Sequence, residues 1–259
     1  MGVELKSRNE IARMRKAGAL VGNTLELVAA AVRPGVSTGD LNEIAAKSIR
    51  DGSGKAAFLG YRHPSGGKPF SGVLCISVNE EIVHGIPRMD RYLAEGDIVS
   101  LDCGALVDGF YGDSARTVAV GVVSASAQQL LDATRLSLEA GIEMCRAGQR
   151  LRDLSGAVEA VIAGAGFSAV RDFVGHGIGR RLHEDPQVPN YVMTGGASGY
   201  LFREGLVLAI EPMVNAGGWE TETLSDGWTV VTKDRSLSAH FEHTVAVTSE
   251  GPQIMTLPG

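Results

Sequence analysis

One oddity occurs twice in this chain. Glu95-Gly96-Asp97-Ile98-Val99-Ser100-Leu101-Asp102 is echoed by Glu204-Gly205-Leu206-Val207-Leu208-Ala209-Ile210-Glu211, and each copy closes a mostly apolar run on a carboxylate. Packing gives no reason for an acid at the end of an apolar strand, because burying an unpaired carboxylate is expensive. Its recurrence predicts a duplicated unit whose strand ends both point at something cationic, and a metal ion is the simplest choice.

Further pairs support the duplication. Arg33-Pro34-Gly35 leads to Asp40-Leu41, as Arg146-Ala147-Gly148 leads to Asp153-Leu154. Val83-His84-Gly85-Ile86 resembles Gly175-His176-Gly177-Ile178, and Arg116-Thr117-Val118-Ala119-Val120 resembles His243-Thr244-Val245-Ala246-Val247. The pairs keep one order, at separations too long and too variable for a solenoid. The expectation is one domain over 1–259, with related halves of roughly 7–120 and 121–250 closing around one site.

Composition narrows the classes. A chain of 259 residues with 44% hydrophobic content can bury a large core. A net charge of −6 gives no electrostatic reason to expect nucleic acid. No apolar run approaches the ~20 residues that span a bilayer, and the N-terminal residues lack a signal-peptide core. Three scattered cysteines, Cys75, Cys103 and Cys145, fit a reduced cytoplasmic protein better than a disulfide framework.

Local patterns place the elements. Ser7-Arg8-Asn9-Glu10 reads as a capping box opening a helix to about Val32, and Ser37-Thr38-Gly39-Asp40 starts a second to about Asp51. Val73–Val78 and Ile98–Val107 read as strands, the latter joined to Tyr111–Val120 by an Asp108-Gly109 turn. Helical patterns return over Ala125–Cys145 and Arg152–Ala163, and beyond Gly166 the chain is strand-like. Each half thus runs helix, helix, strands: an α+β architecture with helices covering one face of a largely antiparallel sheet.

The Asp108-Gly109 turn fixes a register in which Asp102 faces Ala115 and Asp113 faces Gly104. Strand alternation then puts Asp102 and Asp113 on one face as diagonal neighbours about 7–8 Å apart. Two like charges there disfavour each other unless a cation lies between them. The ordinary alternative is a solvent-facing or turn-capping Asp. Glu211, Glu242 and His176 shift the balance, because they sit at matching points of the second half. Two Asp, two Glu and a neutral His carry a charge of −4, which two divalent ions neutralise; the oxygen-rich set suits Mn, Fe, Co or Zn.

The order Asp102, Asp113, His176, Glu211, Glu242, set in Leu101-Asp102-Cys103-Gly104, Gly112-Asp113, Gly175-His176-Gly177-Ile178-Gly179, Ile210-Glu211-Pro212-Met213 and Phe241-Glu242-His243-Thr244, resembles the type I methionine aminopeptidases. The resemblance runs from Ser7 to Val247 and includes Ser77-Val78-Asn79-Glu80 and His183-Glu184-Asp185-Pro186-Gln187-Val188. It implies the pita-bread fold and a dinuclear divalent metal site on those five side chains. It also implies substrate-contacting histidines at His84 and His183, and a methionine pocket of Phe58, Tyr61, Cys75, Leu182 and Trp228. Alone, either histidine would more often be structural, and Trp228 would be read as core.

Three departures mark the pocket. Arg62–Phe70 is a Pro/Gly-rich stretch longer than the family usually has, which leaves one aromatic unassigned and Phe70 open as its replacement. Leu182 stands where an aromatic is common, and His240 where Gln is common. The implied reaction is metal-dependent removal of N-terminal methionine from nascent chains with a small second residue, Glu211 moving the proton and His183 and His84 assisting, by a cytoplasmic monomer. Ribosome association fits such an enzyme; the cluster Lys6, Arg8, Arg13, Arg15 and Lys16 is its only hint, and equally an ordinary helix face. The alternatives are an Xaa-Pro peptidase of the aminopeptidase P and prolidase type, and a catalytically silent binding module.

Overall fold

The computed structural model describes residues 2–62, 66–193 and 199–259. Residues 63–65 of the Pro/Gly-rich stretch therefore lie outside the described residues. The first half comprises α1 (Arg8–Ala31), α2 (Thr38–Asp51), β1 (Lys55–Ala56), β2 (Leu74–Val78), β3 (Glu81–Val83), β4 (Ile98–Val107) and β5 (Phe110–Ala119). The second begins with α3 (Ala125–Glu143) and α4 (Leu151–Gly164). It continues through β6 (Ser168–Ala169), β7 (Gly175–Gly177), β8 (Glu184–Val188), β9 (Val207–Ile210), β10 (Met213–Asn215), β11 (Thr221–Thr223), β12 (Val230–Thr232), β13 (Ser238–His240), β14 (Glu242–Thr248) and β15 (Gly251–Ile254).

The helices start where capping chemistry dictates. The Glu10 carboxylate accepts the Ser7 N–H at 2.9 Å while Ser7 Oγ accepts the Glu10 N–H. Ser37 and Asp40 repeat the device on α2. The apolar face of α1, including Val21, Leu25 and Val28, packs with Leu41, Ala45 and Ile49 of α2 over Leu74, Ile76 and Leu101 of the sheet. In the second half Leu130, Leu138, Leu154 and Val158 cover Leu208, Ile210 and Val245. Each fully buried side chain of this kind contributes about 1.5–3 kcal/mol of transfer free energy.

Among the described residues nine strands form the main sheet, in the order β1-β4-β5-β14-β9-β7-β8, with β2 also on β4 and β15 also on β14; every pairing is antiparallel. Two three-stranded sheets, β13-β10-β6 and β11-β12-β3, lie beside it. The β4–β5 hairpin has the expected register, Asp102 opposite Ala115 and Gly104 opposite Asp113. Asp108 and Gly109 form its turn, with φ of 51° and 81° respectively. Two successive left-handed residues are what a two-residue hairpin loop requires.

Matched hydrogen bonds express the repeat. Gly96 N–H donates to Val120 O and Gly205 N–H to Val247 O, both at 2.9 Å, and both glycines have a positive φ. Gly35 N–H reaches Leu93 O as Gly148 N–H reaches Phe202 O. One expected match fails. His84 does not correspond to His176: Val83 pairs with Val230 in a small sheet, whereas β7 pairs with β9 in the main sheet, the place that β2 takes in the first half. The shared His-Gly-Ile reflects two different uses of a glycine beside a neighbouring strand.

The seam between halves is the β5–β14 pairing, Ala115 with Glu242 and Ser114 with His243. It is tied by side chains as well as backbone. Thr244 Oγ1 donates to Asp113 O at 2.7 Å and accepts Asp113 N–H at 3.1 Å, and Ser114 Oγ donates to Glu242 O at 2.6 Å.

Candidate metal centre and substrate cleft

The inner face of the seam carries the acids. Asp102 on β4 and Glu242 on β14 flank the same residue, Ala115 of β5, from opposite sides. Ala115 is small and buried, so the carboxylates on either side converge over it, and strand alternation adds Asp113 to that face. Glu211 follows β9 directly, and His176 lies at the centre of β7. One ligand atom each of Asp113, His176 and Glu242 lies within 4.8 Å of the others, and His176 Nε2 is 3.5 Å from Glu211 Oε1. Asp102 and Glu211 line the same cleft, of about 710 Å³.

Left to themselves these groups would hold protons, because burial disfavours the charged form. Burial raises the Asp113, Glu211 and Glu242 carboxyls well above the usual range, with neighbouring carboxylates adding to it, and burial lifts Asp102 to about 7. Burial also keeps His176 neutral, its pKa pushed down to about 3. His176 Nδ1 donates to Gly177 O at 2.9 Å, because a carbonyl can only accept; Nε2 then keeps its lone pair.

Asp102 Oδ1, Asp113 Oδ1 and Glu242 Oε1 are buried with no hydrogen-bond partner among the described residues. Burying an uncompensated ion costs several kcal/mol, and three such acids would consume a folding stability of about 5–15 kcal/mol. Protonation or cations must compensate them. The donor set, hard oxygens with one imidazole nitrogen and no accessible thiolate, fits divalent cations.

Beside the acids is an apolar slot. Phe58, Tyr61, Cys75, Leu182 and Trp228 all line the cleft. Phe70 joins them: it is 3% exposed and meets Trp228 edge-to-face at 5.2 Å, so the long stretch from Arg62 returns an aromatic to the wall. Trp228 Nε1 donates to Lys68 O at 2.9 Å, which anchors that stretch to the slot. Cys75 is buried among acids, and burial raises its thiol well above its usual range. It stays protonated and acts as apolar wall.

His84 and His183 border the slot and the acids. His183 shares a 2.9 Å hydrogen bond between its Nδ1 and the Tyr61 hydroxyl, and its ring lies 4.4 Å from that of His176. His84 has φ of 60° and packs edge-on against Phe173 and Trp228. A left-handed conformation at a non-glycine residue is a mark of functional sites. Sequence reasoning missed Phe173 and Met213 of the lining; both sit within three residues of an assigned ligand, a usable signal. His240, noted only as a departure, lies at the cleft with Nε2 3.9 Å from Glu211 Oε2.

A curled antiparallel sheet that gathers buried acids and a neutral imidazole beside an apolar slot defines a metallohydrolase. The chain matches metallopeptidase family M24 over residues 12–249 and belongs to it. It is 46% identical to the methionine aminopeptidase of Aquifex aeolicus, over 99% of both chains. It superposes on the crystal structure of methionine aminopeptidase from Thermotoga maritima with a TM-score of 0.93 at 42% identity, covering 99% of this chain and 100% of that one. The prolidase of Pyrococcus furiosus shares the fold at a TM-score of 0.76 and 18% identity, and the match covers 98% of this chain and 66% of that one. The fold is the pita-bread architecture.

Proposed function

We propose that the chain removes the N-terminal methionine of nascent polypeptides whose second residue is small, acting as one catalytic domain in the cytoplasm. The observation that carries this reading is the junction of buried, unpartnered carboxylate oxygens with a slot walled by aromatic and apolar side chains. Asp102, Asp113, His176, Glu211 and Glu242 would hold two divalent cations, drawn from Co, Mn, Fe or Zn. Bound cations would supply Lewis acidity toward the scissile carbonyl and make water a better nucleophile.

The chain's own groups do the rest. The slot of Phe58, Tyr61, Phe70, Cys75, Leu182 and Trp228 takes the methionine side chain, whose flexible thioether suits aromatic walls. Glu211, beside His176 and His240, accepts a proton from the attacking water and returns it to the leaving amine. His183, its Nδ1 engaged by Tyr61, offers Nε2 to the carbonyl oxygen as charge develops there. His84 orients the peptide beyond the scissile bond.

Transient ribosome association belongs to the same reading, with support only from the cluster Arg8, Arg13, Arg15 and Lys16, of which Arg8 and Lys16 sit in surface pairs of the weak, solvent-screened kind. Lys6 is withdrawn from that cluster, being 4% exposed. Among the described residues no helix is long and apolar enough to cross a membrane.

Glu211→Gln tests the assignment of the base. It keeps the shape and one oxygen but cannot take the proton, so kcat should fall at least about 10²-fold with metal still bound. Unchanged kcat with weakened metal binding would make Glu211 a ligand only.

A further inference from the structure

We infer that the buried Lys6–Glu184 ion pair is a positioning device for His183; the inference rests on the peptidase reading above. Lys6 Nζ is 2.7 Å from Glu184 Oε2, and the two side chains are only 1% and 4% exposed. The neighbouring pair Arg8–Glu204 lies in the open, where water screens it. The Lys6 pair is not screened. It crosses 178 residues of sequence to reach the residue that follows His183.

A slot is built for the lysine. A Cβ on Gly179 would fall 2.3 Å from Lys6 Cε, and one on Gly205 would fall 2.5 Å from Lys6 O. Lys6 N–H donates to Gly205 O at 2.6 Å, and its ammonium donates to Glu4 O at 3.1 Å as well as to Glu184. The other Glu184 oxygen accepts Arg181 N–H at 3.0 Å. Gly179 N–H bonds Arg181 O, and Tyr111 N–H bonds Gly179 O. The turn from Gly179 to Glu184 is thereby closed at both ends around one carboxylate.

Leu182 and His183, the two residues of that turn with assigned roles, line the cleft, whereas Lys6 does not. Lys6 therefore acts through Glu184 and is a positioning residue. Any shift of the turn that moves His183 also draws Glu184 from its cation and strands a desolvated charge, so a single arrangement is favoured. Tyr61 holds the His183 ring from one side; the ion pair holds its backbone from the other.

The test uses full-length protein loaded with Mn(II), comparing wild type, Lys6→Met and the double variant Lys6→Met/Glu184→Gln. The double variant strands no charge, so it folds even where the single one does not. Both should lose about 10-fold or more in kcat on a Met-Ala peptide, as displaced catalytic groups do, while KM stays within about threefold. Mn(II) affinity by calorimetry should be unchanged, and amide exchange at Arg181 and His183 should quicken. A folded Lys6→Met protein with wild-type kcat, a kcat loss that follows lost Mn(II), or full recovery in the double variant would overturn the inference. If wild type cleaves no Met-Ala peptide, the peptidase reading fails separately and exchange still decides: faster exchange in the variants supports the clamp, unchanged exchange refutes it.

Discussion

His84 and His183 occupy equivalent positions in the two halves of the chain. Ser77 of β2 faces Ser100, and His176 of β7 faces Ala209; Ser100 and Ala209 each stand four residues after the glycine of the repeated Glu-Gly pair. His84 follows Ser77 by seven residues, and His183 follows His176 by the same seven. Both imidazoles line the cleft, but in unlike surroundings. His183 is hydrogen-bonded to Tyr61 and meets the His176 ring edge-on, whereas His84 packs edge-on against Phe173 and Trp228.

That difference predicts different kinetic losses. His183→Ala should lower kcat by about 10²–10³-fold, the usual cost of removing a donor to a developing oxyanion. His84→Ala should chiefly raise KM for longer peptides, because it loses binding shared by ground and transition states. Steady-state kinetics on di- and tetrapeptides reads both; equal effects of the two substitutions on kcat would contradict the division of labour.

Asp102→Ala and Glu242→Ala should each lose most bound metal and nearly all activity, since each deletes a charged donor from opposite sides of Ala115. Metal content by elemental analysis after dialysis checks this. Full occupancy with near-normal turnover in either variant would remove the dinuclear assignment.

The metal-free protein should become less stable as pH rises above about 6.5. His176 and His240 are depressed to about 3 and His243 to about 4, each mainly by burial; their contribution is present above the unfolded histidine pKa and is lost as pH falls. The raised carboxyls act in the opposite sense: their contribution is present at low pH and is lost as pH rises, through about 7 for Asp102 and higher for Asp113, Glu211 and Glu242. Below about 6.5 the two groups oppose each other; above it the histidines no longer titrate. The carboxyls, joined at the alkaline end by the raised thiols of Cys75, Cys103 and Cys145, then act in one sense. The Tm of chelator-stripped protein should therefore fall from about pH 6.5 to about 8.5, and Mn(II) should restore it most at the alkaline end, where the donors are deprotonated. A metal-free Tm that rises across this range would contradict the burial argument.

The helices and the hairpin were legible because their signals are local. Ser7 with Glu10 fixes a helix start, and Asp108-Gly109 fixes a register that puts Asp102 opposite Ala115. The convergence of Asp102 and Glu242 over Ala115 was not legible, since it depends on β14 pairing with β5 across a long stretch of sequence. The His84 match misled for the same reason: similar tetrapeptides say nothing of which sheet each joins. Phe70 could not be placed from its spacing, because a long stretch separates it from Tyr61. Lys6 read as part of a solvated face, and only the slot beside Gly179 shows it buried.

The most direct measurement is cleavage of Met-Ala-Ser, Leu-Ala-Ser and Ala-Pro-Ser by wild-type protein, stripped with chelator and then titrated with Mn(II) under anaerobic conditions. The aromatic slot and the buried acids predict no cleavage without metal and recovery on titration. Met-Ala-Ser should be cut roughly 10–200-fold faster than Leu-Ala-Ser, which keeps the hydrophobicity but changes the shape. Fastest cleavage of Ala-Pro-Ser, or full activity in the presence of chelator, would contradict the account.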